Sequence, residues 1–178
     1  MKQPQVMFPI PCFIEPVDLE KIKFKESGNY EKSFLSNVST TLGKDSFTDE
    51  SYSYVCGIIS ECICQFSNEP FYIGQVWRNN YKKTDWQDPH IHSGAQWSFV
   101  IYDTVESSKT VFMSPARKEI MNQWGMYANT IPMDFIPNVP PGHIIIFPSW
   151  VEHFVMSGNE GVTISGNVYL TEPPKGPV

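Results

Sequence analysis

A chain of 178 residues with a formal charge of −6, 13 Lys and Arg against 19 Asp and Glu, is expected to form one domain whose core needs no disulfides. Its basic residues form no stripe, which argues against nucleic acid or an anionic membrane and leaves a small molecule or peptide as the expected partner. No run approaches the roughly 18 apolar residues of a membrane helix, and the first residues lack the regions of a signal peptide, so a cytoplasmic location is expected.

With 12 Phe, 8 Tyr and 5 Trp, and with 15 Pro and 11 Gly spread along the chain, the composition reads as many short strands joined by turns. Cys12, Cys56, Cys62 and Cys64 show no CxxC spacing and read as buried reduced thiols. Residues 6–14 read as an edge strand, because Pro9 and Pro11 cannot donate to a ladder. A weak helical signal covers 18–24. The Ser-, Thr- and Gly-rich stretch from 26 to about 50 reads as loop with short helical turns.

The clearest helix begins near Asp49 or Ser51. Val55, Ile58, Ile59, Cys62, Ile63 and Phe66 share one face, and the helix stops near Asn68-Glu69-Pro70. Strands are then expected over 71–78, 95–103, 110–113, 143–147 and 154–156. A polar loop is expected over 79–85, an ambiguous loop over 121–127, a candidate edge strand over 130–136 and a turn at Pro140-Pro141-Gly142. In the last strand Val162, Ile164, Gly166, Val168 and Leu170 alternate with Thr163, Ser165, Asn167 and Tyr169, giving one buried and one polar face. The expected architecture is mainly β: a double-stranded β-helix (jelly-roll) barrel with one or two flanking N-terminal helices. Residues 1–70 form the N-terminal strand and helical region, 71–170 the barrel core and 171–178 a tail.

His90 and His92, two apart on an extended segment, point to the same side. His153, 61 residues further along, can complete a facial set of three imidazoles. Such a set suits zinc, copper, iron or nickel, and with open positions it is the arrangement of non-haem iron. A set without carboxylate is neutral, so a bound divalent ion keeps its full charge and attracts anions. His143, within an apolar strand, reads as structural.

The runs Trp77-Arg78-Asn79, Pro89-His90-Ile91-His92, Ser98-Phe99-Val100-Ile101-Tyr102, Gly142 to His153 and Ile164-Ser165-Gly166-Asn167 resemble the 2-oxoglutarate and Fe(II)-dependent oxygenases of phages and marine bacteria. The opening Phe8-Pro9-Ile10-Pro11 is similar too. The resemblance implies a double-stranded β-helix with iron on His90, His92 and His153 and 2-oxoglutarate in the barrel, its candidate contacts being Tyr102, Thr163, Ser165, Asn167 and Asn79. The implied reaction is hydroxylation of a small molecule or peptide side chain.

Two departures stand out. Many relatives place an arginine for the far carboxylate of 2-oxoglutarate just before the Ile-Ser pair, where this chain has Thr163, and many have glycine where it has Phe99, which is expected to narrow the pocket. In place of that arginine, Tyr102, Ser165 and Thr163 are the candidate hydroxyl donors, and Arg78 and Arg117 the candidate cations from elsewhere in the chain. A second resemblance is to cupins: Gln96 stands at the place of their acid, and Gly142, Pro148 and His153 fit their second motif with Trp150 for the inner glycine. That implies a metal-dependent dioxygenase or isomerase without 2-oxoglutarate, and a non-catalytic ligand-binding barrel is a third reading. Substrate identity, metal identity and oligomeric state, a homodimer included, stay open.

Overall fold

Alternation along three central strands places the site. A computed structural model describes residues 9–33, 36–106, 109–124, 126 and 133–170. Its seven-stranded sheet has the order β1 (Phe13–Pro16), β11 (His143–Pro148), β8 (Trp97–Tyr102), β13 (Gly161–Tyr169), β6 (Tyr72–Tyr81), β4 (Ser39–Thr40) and β3 (Glu31–Lys32), each neighbouring pair antiparallel. A four-stranded sheet runs β10 (Asp134–Phe135), β9 (Thr110–Met113), β12 (His153–Val155) and β7 (Gln87–His90). The short pair β2 (Phe24–Glu26) and β5 (Ser46–Phe47) completes a mainly β, jelly-roll arrangement.

The two sides of the large sheet bury different things. Trp97, Phe99 and Ile101 of β8, Ile144 and Ile146 of β11, and Ile164 and Val168 of β13 join one apolar cluster with helix α1 (Asp49–Ile63). Tyr102, Ile145 and Phe147 join a second cluster with Phe112, Val151 and Val155 of the smaller sheet's strands and turns. The alternation predicted for β13 is present, but its polar side is not solvated: Thr163, Ser165 and Asn167 are all buried. Polar residues facing inward are what a site between sheets requires.

Phe99 belongs to the helix-side cluster, so it does not narrow the barrel interior as expected. Its ring instead occupies the place of a side chain on the neighbouring strand. Gly166 is its cross-strand partner, and a Cβ on Gly166 would stand 2.4 Å from Phe99 Cζ. The large residue and the missing one are a single packing solution, since a close-packed core holds one ring there and no more.

Thr48 caps α1 by accepting from Ser51 N–H at 3.3 Å, and Asp49 and Glu50 lie in the first turn where the helix dipole favours acids. Val55, Ile59, Cys62 and Ile63 are buried as the period predicts, whereas Phe66, beyond the helix end, is exposed. Other expectations are corrected. The 26–50 stretch contains the two-residue strands β3, β4 and β5, held by their partners rather than by their own propensity. A 3-10 turn, Leu19–Lys21, and β2 replace the weak helix at 18–24. β6 runs through to Tyr81, into the expected polar loop.

A second α-helix, α2 (Arg117–Trp124), lies in the C-terminal half rather than at the N-terminus and overlaps the ambiguous loop. β1 does lie at a sheet edge, but it starts at Phe13; residues 1–8, 127–132 and the tail at 171–178 lie outside the described residues. Among the described residues, no helix is long and apolar enough to cross a membrane; all four cysteines are free, but only Cys62 is buried as expected, Cys56 is half-buried, and Cys12, before β1, and Cys64, at the end of α1, are exposed.

Arg78 ties the N-terminal arm to β6. Its Nε and Nη2 donate to Asp45 at 3.0 and 3.2 Å, its guanidinium lies over the rings of Phe24 and Tyr30, and Thr41 bonds its backbone in both directions. It is therefore outside the barrel interior. Arg117 lies within 3.3 Å of Asp134.

Candidate metal centre

β7 and β12 are neighbours in the smaller sheet with His90 and His153 as direct Cα partners, which sets two imidazoles side by side. His92 lies just past the end of β7, where its N–H donates to Ser149 O at 3.0 Å and returns the chain to the same spot. The ring centroids are 4.3 Å (His90 to His153), 5.1 Å (His92 to His153) and 5.3 Å (His90 to His92) apart. One nitrogen from each ring lies within 4.8 Å of the others, and no further His, Cys, Asp or Glu joins the group among the described residues. His143 is not part of it; its Nδ1 lies 3.2 Å from Pro141 O.

Hydrogen bonds fix the tautomers. His90 Nδ1 faces Asp88 O at 2.7 Å and His153 Nδ1 faces Val151 O at 3.0 Å. A carbonyl only accepts, so both Nδ1 atoms carry the proton and both Nε2 lone pairs are free. His92 Nδ1 lies 2.6 Å from Asn167 Oδ1, whose Nδ2 donates to Gln75 Oε1 at 3.0 Å; Ser98 Oγ donates to the same Oδ1 at 3.1 Å and contacts Ser149 Oγ at 2.7 Å. This network gives His92 the same tautomer.

Burial pushes the His153 pKa down to about 3, with the neighbouring His90 and His92 charges adding to it, and pushes His92 down to about 4 despite its Asn167 bond. At neutral pH these two rings are thus unprotonated donors. Three neutral imidazole nitrogens with hydrogen-bonded far sides suit Fe(II), so the residues present fit the ion that the fold and the resemblance imply.

A narrow cavity of about 30 Å³ adjoins the three rings. Asn79, Tyr102, Thr163 and Ser165 line it. Asn167 does not; it stands behind His92. Sequence reasoning missed Tyr81, Gln87, Thr110 and Asn159, which also line the cavity. Tyr81 follows Trp77 and Asn79 at a period of two, so alternation would have found it had β6 been extended to its end. Thr110 opens the strand expected over 110–113 and Asn159 lies in a turn, but nothing local aims either side chain at the histidines.

No curated protein matches the sequence. Among solved structures, an oxidoreductase of the 2OG-Fe(II) oxygenase family from Burkholderia pseudomallei is similar at 11% identity and TM-score 0.54, covering 81% of this chain and 73% of its own. HygX from Streptomyces hygroscopicus, solved with nickel, 2-oxoglutarate and hygromycin B bound, is similar at 10% identity and TM-score 0.58, covering 92% and 83%. A Pseudomonas putida prolyl-4-hydroxylase is similar at 13% identity and TM-score 0.50, covering 85% and 78%. At these identities the likeness speaks for the fold. The family model described as "Putative 2OG-Fe(II) oxygenase" matches residues 75–167, a little over half of the chain and a span that contains every candidate site residue. The chain therefore belongs to this 2-oxoglutarate and Fe(II)-dependent oxygenase family.

Proposed function

We propose that His90, His92 and His153 hold Fe(II) through Nε2 within one oxygenase domain, and that 2-oxoglutarate binds beside them along Asn79, Tyr102, Thr163 and Ser165, whose side chains part to admit it because the cavity of about 30 Å³ has room for only about two waters. The observation that carries this reading is the convergence of three ring nitrogens whose other nitrogens are all spoken for. Bound there, the iron and the 2-oxo acid would supply the oxygen chemistry by which this family oxidises a small molecule or a peptide side chain. The protein's part is to orient and to exclude water. Phe112 and Phe147 pack 5.5 and 4.9 Å from the His153 ring and keep that side of the site dry, while Trp77 stands 5.4 Å from His92 on the cavity wall.

Anaerobic addition of Fe(II) should load about one ion per chain, and 2-oxoglutarate should then produce a weak visible metal-to-ligand absorption band. Iron binding without that band would overturn the cosubstrate half of the reading.

Asn167 has a separable role, because it touches His92 and not the cavity. Asn167→Ala removes the acceptor that sets the His92 tautomer and is expected to weaken metal binding by about 10- to 100-fold, as loss of such outer partners does elsewhere. Competition against a chelator measures it, and an unchanged affinity would show that Ser98 alone suffices.

A further inference from the structure

Apart from the histidines, Trp77, Val100 and Val155, the cavity is lined by hydroxyl and amide side chains. Tyr81, Tyr102, Thr110 and Thr163 are each at most 5% exposed and line it, as do Asn79 and Asn159. Tyr102 and Thr110 share a hydroxyl contact of 2.8 Å, and the Tyr81 hydroxyl donates to Gln87 Oε1 at 2.5 Å with Thr163 beside it. Asn79 Oδ1 and Asn159 Oδ1 are buried with no hydrogen-bond partner, although both residues face the cavity. Buried amide ends without partners are uncommon, and turning either end for end presents two donors to the cavity. Among the described residues, no Lys, Arg, Asp or Glu lines this space.

Charge decides what such a wall serves. A facial triad with one carboxylate ligand lowers the net charge of a divalent ion by one, and a guanidinium near the far carboxylate of a dianion restores the balance. Here both members of that pair are missing. Three neutral imidazoles leave the ion its full charge of two, which equals the charge of 2-oxoglutarate and balances it without any cationic residue.

We infer that the far carboxylate of 2-oxoglutarate is held by the hydroxyls of Tyr102, Thr110 and Thr163, with the metal's undiminished charge, rather than an arginine, as its counter-charge. Thr163 and the three-histidine set are then one device: the position normally given to arginine is free to be neutral because no ligand carboxylate needs offsetting. This inference rests on the proposed metal and cosubstrate site.

The test is calorimetric binding to the full chain loaded with Ni(II), which occupies imidazole sites without turnover. Titrants are 2-oxoglutarate and 2-oxovalerate, which keeps the chelating 2-oxo acid and carries a methyl group in place of the far carboxylate. The dianion is expected to bind at least tenfold more tightly than the monoanion, and metal-free protein to bind neither. Tyr102→Phe should weaken 2-oxoglutarate about tenfold, the loss of one hydrogen bond to a charged group, while shifting 2-oxovalerate much less. Thr163→Val, which keeps size and shape, should act in the same direction if Tyr102→Phe disturbs folding. Equal binding of the two titrants, or an equal loss of both in each variant, overturns this inference and leaves the cosubstrate site standing. Binding of neither titrant to nickel-loaded protein overturns both.

Discussion

In His153→Ala protein, iron is expected to fall from about one per chain to background, and oxygenase turnover with it. Two imidazoles cannot define a facial set, so the affinity lost must exceed the 10- to 100-fold typical of disturbing an outer partner. Elemental analysis after anaerobic loading of untagged protein is the measurement. His153 is also packed against Phe112 and Phe147, so a thermal melt must accompany it. A variant that melts cooperatively yet retains stoichiometric iron would remove His153 from the ligand set. His143→Ala is the matched control: its ring lies outside the cluster, and iron content should be unchanged.

The second large effect is on stability and lies away from the metal. Asp45→Ala is expected to destabilise the fold by about 3 kcal/mol, because it strands the Arg78 guanidinium against Phe24 and Tyr30 with its carboxylate gone. Arg78 keeps some contact with solvent, its side chain being 21% exposed, which holds the estimate at the low end of about 3–5 kcal/mol for breaking a buried pair. At about 2–4 °C per kcal/mol for a chain of this size, the melting temperature should drop by roughly 6–12 °C.

The pH dependence follows from the same contacts. Burial alone would raise the Asp45 pKa, but bonds from Arg78, Thr41 and the Gly28 N–H outweigh it and hold the carboxyl below its ordinary range. A depressed folded-state pKa contributes stability fully above the unfolded value of about 3.9 and loses it as pH falls through the folded one. Wild-type protein should therefore lose this increment below about pH 4, and Asp45→Ala should not. Parallel melting curves for the two proteins across that range would contradict the assignment.

Why the site was legible and some of the scaffold was not comes down to range. His90 and His92 announce themselves through a two-residue period, and the Gly142 to His153 run carries its motif in one continuous stretch. The seven-stranded sheet could be anticipated because β8, β11 and β13 are long enough for local pattern to decide them. The strands β3, β4 and β5 have only two residues each, and nothing in Glu31-Lys32 or Ser46-Phe47 favours strand until a partner supplies the ladder. Thr110 and Asn159 sit on a strand and a turn that local pattern does mark, yet they reach the cavity only through tertiary placement. Gly166 and Phe99 show a different limit: each is odd alone, and the pair becomes intelligible only when the register sets them opposite one another.

The three ring anchors differ in how they can evolve. His90 and His153 are held by main-chain oxygens two residues upstream, and a main-chain oxygen persists whatever side chain the gene encodes there. His92 alone depends on encoded side chains, Asn167 and Ser98. Mutational drift around the centre thus leaves two of its three donors in place and acts chiefly on the third. Selection on how strongly the site donates to its ion has one dial, and it is set at residues 98 and 167.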